Sequence, residues 1–130
     1  YGDYLPVSPL KYVLDNKSRN LHTLVLLDLD PTGLGVESPV HMSPAEAGGV
    51  FLNMAKKYGM EDDSKIETFE DMPDWPVIVL SDLGTKESRV CSINLRSISN
   101  VKGGRIHCLI LPSSMDDLEQ SSFDGMYVGD

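Results

Sequence analysis

A chain of 130 residues is the size of one ordinary domain, and a hydrophobic fraction of 41% supplies one core. No apolar run approaches the ~20 residues needed to span a bilayer, so no membrane partner is expected. A formal charge of -9, with 20 acidic against 11 basic residues, argues against a nucleic-acid partner, whose phosphates demand clustered cations.

In chain order, Ser8-Pro9 is a helix start, and Leu10, Val13 and Leu14 recur at helical spacing until Asn20, which can take a left-handed conformation and close the helix. Residues 21–29 read as a strand, and Leu24-Val25-Leu26-Leu27 is continuous rather than alternating, which predicts burial on both faces. Pro31, Gly33, Gly35 and Pro39 mark a loop. Ser43-Pro44-Ala45-Glu46 is a capping box with proline at the first helical position, and the helix is expected to end near Lys57, before Gly59. Residues 60–75 are acidic and read as a solvated connection free to move.

Val77-Ile78-Val79-Leu80 is a second interior strand, and Arg89-Val90-Cys91-Ser92-Ile93 alternates as a half-exposed strand does. Residues 95–99 form a short helical or irregular piece, and Gly103-Gly104 turn the chain into a last apolar strand over 106–111, ended by Pro112. Ser114 is the expected cap of a final helix. Strands interleaved with helices predict an α/β (α+β-like) layered domain filling residues 1–130, with a mixed, mostly buried sheet flanked by helices. Cys91 and Cys108 each sit in an apolar run, too few for a disulfide scaffold or a zinc set, so both are expected as small buried side chains in a reducing, cytoplasmic setting.

Two chemical readings start from the same strand. Asp28-Leu29-Asp30-Pro31-Thr32 resembles the first motif of haloacid-dehalogenase-like phosphohydrolases, in which one aspartate attacks phosphorus and the next protonates the leaving group beside magnesium. Ser81, Lys86 or Lys102, and Asp116 with Asp117 would then fill the remaining roles. The simpler reading has Asp28 and Asp30 ending a strand. A non-enzymatic α/β interaction module is a third alternative. His22, expected at a strand end, His41 and His107 are too widely spaced for a metal signature, and no metal ligand is assigned.

The other reading uses more of the chain. Leu21-His22-Thr23-Leu24-Val25-Leu26-Leu27-Asp28-Leu29, the preceding Tyr12-Val13-Leu14-Asp15-Asn16, Met42-Ser43-Pro44-Ala45-Glu46-Ala47 and Ile106-His107-Cys108-Leu109-Ile110-Leu111-Pro112 are similar, in order, to blocks of the diphthine synthases. These belong to the tetrapyrrole-methylase superfamily. The resemblance implies the second of two α/β domains whose cleft holds S-adenosylmethionine, in a homodimer that methylates the modified histidine of elongation factor 2. The first domain's glycine-rich and aspartate-bearing cofactor segments have no counterpart in these 130 residues.

Three positions carry over to the cofactor cleft: Leu27 late in the first strand, Leu83 after the second, and His107 opening the last. Where the family has Leu-Ala-Arg-x-Gly, this chain has Leu80-Ser81-Asp82-Leu83-Gly84, so Asp82 inverts a charge beside the cleft. Methyl transfer from a sulfonium releases a neutral leaving group and depends mainly on alignment, so no catalytic residue is assigned. Alone, this half is expected to bind the cofactor poorly and to transfer no methyl group.

Overall fold

The computed structural model describes residues 8–27, 42–61 and 70–128. Helix α1 (Ser8–Ser18) buries Leu10 and Val13 and ends as its sequence predicts. Asn20 adopts φ +61°, its N–H donates to the Lys17 carbonyl, and the Leu21 N–H reaches back to Asn16 at 2.8 Å. That pair of bonds is a Schellman ending, satisfying carbonyls the helix leaves open. The Asn16 side chain then donates to Thr23 Oγ1, tying the helix end to the start of β1.

Strand β1 (Thr23–Leu26) is shorter than expected and buried on one face only. Thr23 and Val25 are half-buried, whereas Leu24 and Leu26 are 61% and 65% exposed. The apolar run mimics a strand covered on both faces, but among the described residues β1 is the outermost strand and nothing packs over its outward leucines. Asp28, Asp30, the proline- and glycine-rich loop and His41 fall outside the described residues.

Helix α2 (Pro44–Glu61) opens on the predicted box: Glu46 N–H donates to Ser43 Oγ at 3.1 Å and Ser43 N–H to Glu46 Oε1 at 3.2 Å. It runs four residues past Lys57. Gly59 continues the Phe51–Ala55 stripe at i, i+4 and is buried with it, so it lies within the helix rather than stopping it. Of the acidic stretch, residues 62–69 are outside the described residues; beyond them, a 3-10 turn (Met72–Asp74) buries Met72 completely.

Strands β2 (Pro76–Ser81), β3 (Arg89–Asn94) and β4 (His107–Leu111) follow, with a 3-10 helix (Leu95–Asn100) between the last two. The sheet order is β1-β4-β2-β3, and each neighbouring pair is antiparallel. The layered α/β expectation holds, but among the described residues the sheet expected to be mixed is antiparallel throughout, with a parallel contact only in the isolated bridge of Ser92 to Tyr127 beside it. One face, carrying Val77, Val79, Leu109 and Leu111, packs with Leu10, Phe51, Met54, Leu95 and Ile98 as the core.

Helix α3 (Asp117–Gly125) covers part of the opposite face, where Ile78, Ile110, Phe123 and Met126 line an apolar groove. Its cap is Asp116, not Ser114. Asp116 and Glu119 exchange side-chain-to-backbone bonds of 2.8 and 3.0 Å, a reciprocal box that Ser114 does not form. The end of this helix also changes β3. Ser92 donates its N–H to Met126 O and its hydroxyl to Phe123 O, and it accepts from Val128 N–H. Cys91, Ser92 and Ile93 are consequently all buried, where alternation had been expected.

Adjacent glycines on α2 test the packing. A Cβ on buried Gly48 would lie 2.3 Å from Ile98 Cγ2, whereas one on exposed Gly49 meets nothing within 4 Å. Gly49→Ala should therefore stabilise the fold by about 0.5–1 kcal/mol through helix propensity. Gly48→Ala should destabilise it, because an overpacking cost of about 1–3 kcal/mol exceeds that gain. Urea-unfolding midpoints of the two variants check both signs.

Candidate functional site

β1 and β2 run in the same direction with β4 reversed between them. The exits of β1 and β2 and the entry of β4 therefore meet at one end of the sheet. Leu27, one residue past β1, donates its N–H to the His107 carbonyl at 3.4 Å. Ser81, the last residue of β2, stands directly opposite His107, and its Oγ lies 2.8 Å from His107 Nδ1. Both side chains are buried, at 1% and 5% exposure.

Asp82 extends this pairing past the strand. Its N–H donates to the Ile106 carbonyl at 2.8 Å, and its Oδ1 accepts from the N–H groups of Ile106 and Arg105 at 2.8 and 3.0 Å. It does so at φ +52°, a left-handed conformation that aspartate tolerates better than most residues. The Ile106 and Arg105 amides hold the carboxyl below the usual carboxylate range; the charges of His107 and Arg105 add to this, and partial desolvation opposes it. Asp82 thus spends its carboxylate on the backbone of the turn before β4.

Gly104 makes that turn close. A Cβ here would sit 2.8 Å from His107 Cε1 and 3.3 Å from Ser81 Cβ, and φ is +81°. Only hydrogen fits against the imidazole. Beside this group opens a cavity of about 750 Å³, lined by Ser81, Asp82, Glu87, Arg89, Gly104 and Arg105 among others. Its size lies within the usual range for small-molecule sites. Two carboxylates and two guanidinium groups share its wall, so neither sign of charge dominates.

The structure brings Leu27 and His107 side by side. Leu83 lies at the same end of the sheet, next to Asp82, with its side chain 52% exposed in the turn. The cavity is walled by the neighbours of these three positions rather than by the three themselves. Sequence reasoning did not join Ser81 and Gly104 to His107. The pairing spans 26 residues, and nothing in either local segment marks it. The phosphohydrolase set is not assembled in the described part: Asp116 is a helix cap beyond the far end of β4, roughly 13 Å of strand from Ser81. Among the described residues, no cluster of three or more His, Cys, Asp or Glu could hold a metal ion, and no helix is long and apolar enough to cross a membrane.

Comparison with known proteins bears on this geometry. No family model matches the sequence. The chain is 25% identical over 127 residues to a diphthine synthase of Saccharolobus islandicus, covering 97% of this chain and 44% of that protein. It is 24% identical over 120 residues to the Saccharolobus solfataricus diphthine synthase, covering 92% and 41%. Among solved structures, a putative diphthine synthase from Entamoeba histolytica superimposes with a TM-score of 0.79 at 21% identity, over 98% of this chain and 47% of that one. A conserved hypothetical protein from Aeropyrum pernix K1 gives 0.74 at 20% identity, over 95% and 40%. The resemblance carried by the four sequence blocks therefore extends along nearly the whole chain, in sequence and in fold. The chain spans less than half the length of the relatives it matches.

The Asp82 network has a pH signature. Because the folded carboxyl is held below its ordinary value, its contribution is complete above the ordinary aspartate range and is lost as pH falls through the depressed value. Wild-type protein should be more stable than Asp82→Asn from neutral pH down to about pH 4, with the difference shrinking at lower pH. Urea-unfolding midpoints measured across that range provide the check; a difference that grows on acidification would contradict this assignment.

Proposed function

We propose that this chain is the carboxy-terminal half of an S-adenosylmethionine-dependent methyltransferase of diphthamide biosynthesis, a cytoplasmic homodimer that methylates the modified histidine of elongation factor 2. The observation that carries this reading is the similarity to diphthine synthases along 97% of the chain, with a matching fold over 98%. The site geometry supports it. Leu27 and His107 lie side by side at one end of the sheet, and next to them Ser81 and Gly104 wall a cavity of ligand size. Such a wall fits one side of a nucleoside-bearing cofactor, and its other side falls to the portion of the longer relatives that this chain does not span.

In this reading Leu27, Leu83 and His107 hold the cofactor. When bound, S-adenosylmethionine supplies a methyl group on a cationic sulfur, so departure leaves a neutral thioether. The chain's own residues therefore need to move no proton. Their work is to fix orientation and exclude water, so that the unprotonated acceptor nitrogen meets the methyl carbon in line. Buried Leu27 and His107 suit that task. No side chain here is assigned an acid or base role, and neither nucleic acid nor membrane is a proposed partner.

Two measurements test the proposal. By calorimetry, the 130 residues alone should bind S-adenosylmethionine weakly or not at all, and tight binding to them would contradict a site divided between two halves. The full-length protein should transfer labelled methyl groups from S-adenosylmethionine to elongation factor 2 carrying the unmethylated precursor. Absence of transfer with correctly modified substrate would overturn the function.

A further inference from the structure

We propose that Ser81 is a positioning residue, whose hydroxyl sets the orientation of the His107 ring at the cofactor wall. The inference rests on the reading above, in which His107 lines the cleft. Ser81 shares the inward face of β2 with Val77 and Val79, and all three are essentially inaccessible. A hydroxyl in that row is costly unless it is hydrogen-bonded, and an apolar residue would continue the pattern of the strand. The serine is matched to one partner: His107 stands directly opposite on β4, and the bond to Nδ1 is 2.8 Å. Directly opposed residues on one face are the closest cross-strand neighbours, so the contact follows from register rather than from a long flexible reach.

The ring is constrained on a second side. Gly104 approaches so near that a Cβ would stand 2.8 Å from Cε1. Gly104 is held there by the turn that Asp82 clamps through the amides of Arg105 and Ile106. Nδ1 is thus tied to β2 while the neighbouring carbon is walled by the turn. Rotation of the imidazole breaks the first contact or collides with the second. The His107 carbonyl accepts the Leu27 N–H while Ser81 pairs on the other side, so the ring is carried on a main chain held from both neighbouring strands. Ser81 need not touch the cofactor to affect its binding.

A double-mutant cycle in the full-length protein separates this role from simple satisfaction of two buried polar groups. S-adenosylmethionine affinity is measured by calorimetry for wild type, Ser81→Ala, His107→Ala and the double variant, with thermal unfolding as the check on folding. Ser81→Ala should weaken binding about five- to tenfold, the worth of one net hydrogen bond. The double variant should bind no more weakly than His107→Ala alone, because the serine acts through the histidine. Wild-type affinity in Ser81→Ala, or a full additional loss in the double variant, would overturn the positioning role. Unchanged affinity in His107→Ala would instead remove the cofactor reading itself, and this inference with it. A second readout leaves His107 in place: in Ser81→Ala the 15N shifts of its ring should move, and unchanged shifts would count against the proposal.

Discussion

The antiparallel register of β4 between β1 and β2 is the constraint on which the rest of the molecule depends. Pairing Ile78 with Ile110 and Ser81 with His107 puts Leu109 and Leu111 into the core and leaves Cys108 and Ile110 on the opposite face. Side chains alternate with a period of two, so a slip of one residue would exchange these sets and turn His107 away from Ser81. Burial of Leu109 and Leu111 thus secures the site as well as the core. At roughly 1.5–3 kcal/mol for each fully buried leucine, the packing term far outweighs the single Ser81–His107 bond that it aligns.

The two ends of β4 are held by different chemistry. At its entry, backbone amides, a carboxylate and a close glycine shape the turn around His107. At its exit, Lys17 donates to the Pro112 carbonyl at 2.7 Å and lies 4.4 Å from the Trp75 ring centre. Burial pushes this ammonium below its ordinary value, and the carbonyl and the aromatic face together offset the lost hydration. His22 closes the same end: its Nδ1 accepts from the Ser113 N–H and its Nε2 meets Glu119 at 2.6 Å. The Asp116 amide and His22 hold the Glu119 carboxyl below its usual range. Among the described residues no buried side-chain nitrogen or oxygen lacks a partner. The far end of β4 is therefore tied to α1 and α3, opposite the end that carries His107.

Several of these features were legible in the chain because they are local. The Ser43–Glu46 box, the Asn20 ending and the Gly103-Gly104 turn each involve residues no more than a few positions apart, and their side-chain chemistry names the backbone geometry they need. The strand centres at Val77-Ile78-Val79-Leu80 and Cys108-Leu109-Ile110-Leu111 were visible for the same reason. The four blocks that resemble diphthine synthases were also readable, and among the cofactor positions taken from them Leu27 and His107 do come together.

What the sequence determined by itself is thus most of the list of elements and the place of Leu27 and His107 at one end of the sheet. Tertiary structure alone decided which of those residues touch. Leu24 and Leu26 are open because no described element packs on that face of β1, and what covers a strand is not encoded in its own composition. Ser92 is buried because the end of α3 arrives from more than 30 residues away. Ser81, Asp82 and Gly104 surround His107 because β4 pairs directly with β2, in a register set by burial on the core face. Local propensity acts over one or two turns of chain, whereas the site is made by contacts that only a packed sheet can bring within hydrogen-bonding distance.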